Sequence, residues 1–365
     1  MKIICLQENL KNNLNIVQNI IGRNLTLPIL NNLLLETENG RLKISATNLE
    51  IGINTWTSGK IEKEGSITCP AKIFYSFISN LPNKKIEINT KDNNLSIKCE
   101  NYKANLKGLP ADDFPLIPKI KEPALLEIDS VKLKEALSQI VGAAAVSESR
   151  PEISGIFFKF DKNNLVLAAT DSFRLAEKII FSAASKNNNQ DLIIPQRTIQ
   201  ELIRILGEKG EKVKIILGNN QVLFEMADSQ LISRIIDGQY PDYQQIIPRD
   251  FSTKIEIEKE ELLNSVRLAG FFSSKINDIK FVVRSGRLEI ISHDPDLGEN
   301  RSLLAPKIKG KDLEINFNYR YILDGLSNIF SQKVFLGFNS SAQPVVIRPA
   351  EGNDYLYVAM PIKNI

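Results

Sequence analysis

One pattern recurs three times along the 365 residues, and it constrains this chain more than any single motif. Tandem copies of one unit must bury their apolar faces in the same way and share one architecture. In the first copy Leu10, Leu14, Val17 and Ile21 keep one helical face apolar. Strand-like runs follow at 32–37 and 41–47, with Asn39-Gly40 predicting a two-residue hairpin turn. Pro70 opens a second helix that should bury Ile73, Phe74, Phe77, Ile78 and Leu81, and strands at 85–89 and 95–99 close the copy.

The second copy repeats the order. Ser130 caps a helix carrying Val131, Leu133, Leu137 and Ile140 inward, strands follow at 155–160 and 164–167, and Pro195 opens a helix with Ile199, Leu202, Ile203 and Leu206 inward. In the third copy helices are expected over 260–272 and 318–330, with strands at 279–283, 287–291, 333–338, 344–348 and 355–360. The expected fold class is α+β: three tandem domains, each with two amphipathic helices packed on one side of antiparallel sheet. Proline-bearing stretches at 114–123 and 247–253 interrupt the pattern and read as linkers, which sets the domains at 1–122, 123–250 and 251–365.

Near the middle of the chain, Ala169-Thr170-Asp171-Ser172-Phe173-Arg174-Leu175-Ala176 reads as a turn between two strands. Asp171 and Ser172 suit it, because their short side chains bond to nearby backbone amides. Phe173 and Leu175 are apolar beside a turn that should be wet. Either both are core residues, or they line a hydrophobic pocket with Arg174 at its rim.

Little in the sequence points to catalysis. The one histidine, His293, falls in the polar run Ser292-His293-Asp294-Pro295-Asp296 and reads as a solvated turn residue. Asp112-Asp113, Asp171, Asp294 and Asp296 stand at turns, where capping is the commoner role for aspartate. Gly207-Glu208-Lys209-Gly210 follows a helix instead of opening one after a strand, so it is a helix end and not a phosphate loop. Cys5, Cys69 and Cys99 are far apart within strand-like sequence and read as buried reduced thiols. No metal and no cofactor is expected. The first residues turn polar too quickly for a signal peptide, and no apolar stretch is long enough to span a bilayer, so no membrane association and a cytoplasmic location are expected. Lys plus Arg total 46 against 43 Asp plus Glu, a formal charge of +3 that neither demands nor excludes nucleic acid.

The three copies, the turn at 169–176, the run Gln239-Tyr240-Pro241-Asp242-Tyr243 and the terminus Tyr357-Val358-Ala359-Met360-Pro361-Ile362-Lys363 together resemble the bacterial DNA sliding clamps, the beta subunits of DNA polymerase III. Thr26-Leu27-Pro28-Ile29-Leu30-Asn31-Asn32-Leu33-Leu34 and the run 108–115 are similar to the first domain of the same family. The resemblance covers essentially the whole chain in order. It implies a head-to-tail homodimer whose six domains close a ring around double-stranded DNA, with helices inside and sheet outside. The function it implies is that of a non-enzymatic processivity factor. Its partners would be the DNA polymerase III alpha subunit, clamp-loader subunits, other polymerases and repair proteins.

The resemblance also implies particular residues. A pocket for short partner peptides would use Ile153, Thr170, Asp171, Ser172, Phe173, Arg174, Leu175, Pro241, Ile246, Val358, Met360, Pro361 and Ile362. DNA would meet Arg23, Lys72, Arg150 and Arg197, on helix faces that also carry Lys11, Lys132, Lys134, Arg204, Arg267 and Arg320 together with Glu135, Glu201 and Glu208. The dimer contact would pair the strand holding Ala104 and Leu106 with the third domain near Phe271 and Phe272, which as the end of a helix are alternatively core residues. The chain departs from the family pattern at Ser172-Phe173, where Gly-His is common, at Gln245, where a basic residue is common, and at Asn24, where an arginine is expected and Arg23 precedes. Two other readings stand beside the clamp. One is a peptide-binding scaffold that does not encircle DNA. The other is a hydrolase using Asp171, Asp242 and Asp294.

Overall fold

A computed structural model of the chain describes residues 1–22, 26–161, 163–181, 190–208 and 210–362. Arg23 and Asn24, Lys162 between two strands, and Lys209 after a helix therefore lie outside the described residues. Six α-helices are described: α1 (Gln7–Val17), α2 (Ala71–Ser79), α3 (Ser130–Ile140), α4 (Gln196–Ile205), α5 (Lys259–Gly270) and α6 (Tyr319–Ser327). They fall two to each copy, as the repeat predicts. In the first two copies the second helix starts one residue after the proline expected to open it, because Pro70 and Pro195 still pair as the last residues of strands. In the third, Asn318 caps α6 by accepting from the Arg320 backbone N–H at 3.0 Å.

The chain forms two compact units, Met1–Val131 with Gln200–Ile235, and Lys132–Ile199 with Ile236–Ile365. The first holds a sheet of twelve strands, in which Ile51–Lys63 of the first copy pairs antiparallel with Ser229–Arg234 of the second. The second holds a sheet of nine strands, in which Arg174–Phe181 of the second copy pairs antiparallel with Tyr355–Ala359 of the third, and a separate sheet of four strands. Within each unit, then, one copy's sheet continues into the next by ordinary ladder pairing.

Asn39 and Gly40 both adopt positive φ, 49° and 73°, between the paired residues Glu38 and Arg41, so that hairpin turn forms as predicted. Two helix faces differ from expectation. Ile73 is 57% exposed and Val131 is 40% exposed, because each points away from the buried stripe of its helix, Ala71, Phe74 and Ile78 in α2 and Ser130, Leu133 and Leu137 in α3. His293 lies near the end of the strand Arg287–Asp294, paired with Glu299, and not in the turn itself. Cys5, Cys69 and Cys99 are buried free thiols. Burial pushes the Cys5 thiol up to about 12 and raises that of Cys69, which leaves both unreactive at neutral pH.

Candidate functional site

The strand Asn164–Thr170 and the strand Arg174–Phe181 close on one another with Thr170 paired to Leu175, so residues 171–174 form a tight loop. Asp171 organises it. Its Oδ1 accepts from the backbone N–H of Phe173 and of Arg174, both at 2.9 Å, and its Oδ2 accepts from Arg174 Nε at 2.9 Å. Thr170 Oγ1 donates to the Arg174 carbonyl at 2.7 Å and accepts from the Ser172 N–H at 3.1 Å. Ser172 sits at φ 77°, a left-handed conformation that glycine adopts without strain. Its hydroxyl accepts from Arg150 Nη1 at 3.1 Å.

The C-terminal strand adds the next layer. Arg174 pairs with Ala359, and Leu175 with Val358, and the Met360 N–H donates to the Phe173 carbonyl at 2.8 Å. Two residues on, the Ile362 N–H donates to Asn316 O at 2.8 Å, which ties the end of the described chain to the strand Leu313–Asn318. The Ala145 N–H donates to both Ile153 O and Thr170 O, at 3.0 and 3.2 Å, so Ile153 is tied to the same loop. Beneath, Leu175 and Val358 join a buried cluster with Phe157, Tyr240 and Tyr243. The Phe157 and Tyr240 rings stack at 4.8 Å, and Tyr243 meets each edge-on at 6.2 Å. Tyr240 and Tyr243 thereby anchor the segment that presents Pro241 and Ile246, both exposed. Tyr243 Oη donates to Glu177 at 2.6 Å; burial nevertheless raises the Glu177 carboxyl above its ordinary value, the tyrosine's bond opposing that rise.

The apolar pair at the turn divides: Leu175 is core at 1% exposure, while Phe173 stands 60% exposed at the surface. Of the residues expected at a peptide site, Ile153, Leu175 and Val358 are buried, while Phe173, Pro241 and Ile246 are exposed. Sequence reasoning missed Tyr321 and Asp324. The Arg174 guanidinium lies 4.9 Å from the centre of the Tyr321 ring and pairs with the Asp324 carboxylate. Their spacing of three on α6 puts both on one helix face, a signal present in the sequence. Arg150, expected on DNA, is exposed and donates to the Ser172 hydroxyl of the loop.

Lys72, Arg197 and Arg320 are exposed and occupy one structural position, the second residue of α2, α4 and α6. Arg204 differs from expectation. Its guanidinium donates to the carbonyls of Asn15 and Ile16 at 2.9 and 2.5 Å and to Glu201 at 2.8 Å, which satisfies acceptors at the end of α1. The strand Tyr102–Lys107, holding Ala104 and Leu106, is an edge strand of the large sheet. Phe271 is 67% exposed just beyond α5, whereas Phe272 is half-buried.

The aspartates proposed for hydrolysis are engaged in local hydrogen bonds, two of them as turn caps. Asp171 serves the loop above, Asp242 accepts from Gln245 Nε2 at 2.7 Å, and Asp294 accepts from the Asp296 and Leu297 N–H groups at 2.9 and 3.0 Å. Among the described residues no group of three or more His, Cys, Asp or Glu side chains is placed to hold a metal ion. No described helix is long and apolar enough to cross a membrane.

Three tandem helix-and-sheet domains, successive ones joined through their sheets, define a clamp-type architecture. Family models agree along the chain: the N-terminal, central and C-terminal domains of the DNA polymerase III beta subunit match residues 1–118, 127–242 and 244–363. The beta sliding clamp of Synechocystis sp. is 30% identical with all of both chains covered, and that of Synechococcus elongatus is 31% identical over 100% of this chain and 99% of its own. The DNA polymerase III subunit beta of Pseudomonas aeruginosa superposes with a TM-score of 0.96 at 27% identity, and the sliding clamp of Bacillus subtilis with 0.95 at 27%, all of both chains covered in each case. The chain belongs to the DNA polymerase III beta subunit family, the beta sliding clamps, and carries its three domains.

Proposed function

We infer that the chain is a DNA polymerase processivity factor: a clamp that encircles duplex DNA without reading its sequence and tethers polymerases to it. It is not an enzyme. The observation that carries the reading is the recurrence of an exposed cation at the second residue of α2, α4 and α6, within a family whose members are sliding clamps. Each of these positions also lies at a helix N-terminus, where the backbone adds partial positive charge. Phosphates attracted this way hold the duplex whatever its sequence and leave it free to slide, whereas base contacts would stall it.

The domains are set at 1–122, 123–250 and 251–365, and two copies join head to tail, the strand with Ala104 and Leu106 of one meeting the region of Phe271 and Phe272 of the other. DNA is met by Lys72, Arg150 and Arg197, to which Arg320 is added, with Arg23 as a further candidate. Partner peptides from DNA polymerase III alpha, clamp-loader subunits, other polymerases and repair proteins are received at the Thr170–Leu175 loop, with Ile153, Pro241, Ile246, Val358, Met360, Pro361 and Ile362 around it. Phe173 supports this assignment, since a large apolar side chain held in water is what an anchor-binding rim requires. The protein works in the cytoplasm, where bacterial chromosomes are copied.

The test is retention. Loaded on nicked circular DNA, the protein should survive a high-salt wash and be lost on linearisation. Retention insensitive to linearisation, or none on the circle, would leave a peptide-binding scaffold as the better account.

A further inference from the structure

The two segments that join the domains are irregular, as their prolines dictate, yet each is fixed to the sheet it crosses. In the first, Ile117 lies over Gly52 and Ile120 over Gly218. A Cβ added to Gly52 would stand 2.9 Å from Ile117, and one added to Gly218 would stand 3.3 Å from Ile120. Neither glycine has a positive φ, so what both supply is room. Ile117, Ile120 and Ala124 pack there against the buried cluster Ile216, Leu223 and Ile232, while Lys119 between them reaches Glu38 at 3.4 Å. Gly52 belongs to the first copy and Gly218 to the second, and those copies meet where Ile51–Thr55 pairs with Ser229–Ser233. The segment therefore crosses this seam with one isoleucine seated on each side.

The second segment repeats the arrangement with other residues. Phe251 lies over Gly337 of the strand Lys333–Phe338, where an added Cβ would stand 2.4 Å from its ring, and it meets Phe335 at 5.5 Å. Ile247 and Phe251 pack against a cluster that draws Phe157 and Leu175 from the second copy and Val346 and Val358 from the third. Asn339 fixes the backbone between, accepting from the Ser252 N–H and donating to Asp250 O, both at 2.8 Å. The seam here is Arg174–Lys178 paired with Tyr355–Ala359.

We propose that the two joining segments are straps, each clasping its seam by a large apolar side chain seated over a strand glycine, so that the sheet pairing between successive domains resists opening. Gly218 and Gly337 lie on corresponding strands, those that follow α4 and α6, yet the side chains laid over them differ, isoleucine in one and phenylalanine in the other, which argues for a shared mechanical demand. On the clamp reading, the consequence is that a ring yields at the contact between copies and not within a chain. The strap itself is independent of that reading.

Hydrogen exchange on the full chain, followed by mass spectrometry, tests it without DNA. In Ile117→Ala/Ile120→Ala, amides of 51–55 and 229–233 should exchange about tenfold faster, while the hairpin 85–99 and the second seam stay as in wild type. Phe251→Ala should do the reverse, loosening 174–178 and 355–359 alone. Gly52→Ala, which displaces Ile117 without removing it, should reproduce the first result. Acceleration spread evenly over the chain, or none at the matching seam, overturns the proposal.

Discussion

Arg174 holds its guanidinium 4.9 Å from the centre of the Tyr321 ring, so a residue of the loop after one sheet strand is seated on a helix of the third domain. The arginine is also bonded to Asp171 and paired with Asp324. The guanidinium is thus fixed from both the loop and the helix, and on the proposed reading of the loop as a peptide site such a prearranged wall costs less ordering on binding than a mobile one. Tyr321→Ala should lower unfolding stability by about 1 kcal/mol and weaken capture of a fluorescent peptide bearing Leu and Phe anchors, whereas Tyr321→Phe should change neither measurably. Equal losses in the two variants would mean that the hydroxyl, and not the ring face, is what matters.

Asp171 is the residue on which the loop's shape depends, since it accepts three hydrogen bonds within four residues of sequence. Asp171→Ala should cost about 2 kcal/mol in chemical denaturation, because two backbone donors and the guanidinium lose their acceptor together. Asp171→Asn keeps one acceptor oxygen for the backbone and should retain about half of that. Peptide affinity should fall in the same order.

Much of this was legible in advance, and the failures have physical causes. The helix pairs, the Asn39-Gly40 hairpin and the capping role of Asp171 follow from periodicity and local bonding, which a sequence carries directly. The strand Ile51–Lys63 was not legible, although it joins the first copy to the second. It contains Gly52 and Gly59, and glycine inside a strand weakens the strand signal. Both are instead required by close approach, Gly52 beneath Ile117 and Gly59 where an added Cβ would stand 2.7 Å from the Ile4 carbonyl. Arg204 was misread for the complementary reason. It looks like one more cation on a helix face, and only the fold brings the carbonyls of Asn15 and Ile16 within its reach.

The Glu177 carboxyl should make the loop's support pH-dependent. Burial raises its folded value above the ordinary 4.5, against the opposing bond from Tyr243. The native state then holds this proton more tightly than the unfolded chain does. Its contribution to stability is fully present below about pH 4.5 and is lost as pH rises through the raised folded value. Glu177→Gln retains an acceptor for Tyr243 and removes the titration. The variant and the wild type should therefore have similar denaturation midpoints near pH 4, with the variant ahead at pH 8. Parallel midpoint curves across that range would show that Glu177 does not titrate differently on folding.

The cations at the second residue of α2, α4 and α6 give a quantitative expectation for DNA. Replacing Lys72, Arg197 or Arg320 by Gln should weaken binding to duplexes of different sequence by a similar factor and reduce the salt slope of log Kd by about 1 each. A variant that changes affinity for one sequence only would point to base contact at that residue.

Phe271 and Phe272 separate the contact between copies from the packing of the domain. Phe271 is 67% exposed, while Phe272 is half-buried, and a Cβ placed on Gly298 would lie 4.0 Å from its ring. A large aromatic left in water at the end of α5 is the better candidate for burial against a second copy, and aromatic anchors contribute disproportionately at such contacts. Light scattering should give the wild type a mass near twice 41.0 kDa. Phe271→Asp should bring it to that of one chain with the unfolding midpoint of the monomer unchanged. Phe272→Asp should lower the midpoint as well, because its ring also packs within its own domain. A monomeric wild type at micromolar concentration, or a Phe271→Asp variant that stays dimeric, would remove Phe271 from the interface and shift attention to the edge strand Tyr102–Lys107 alone.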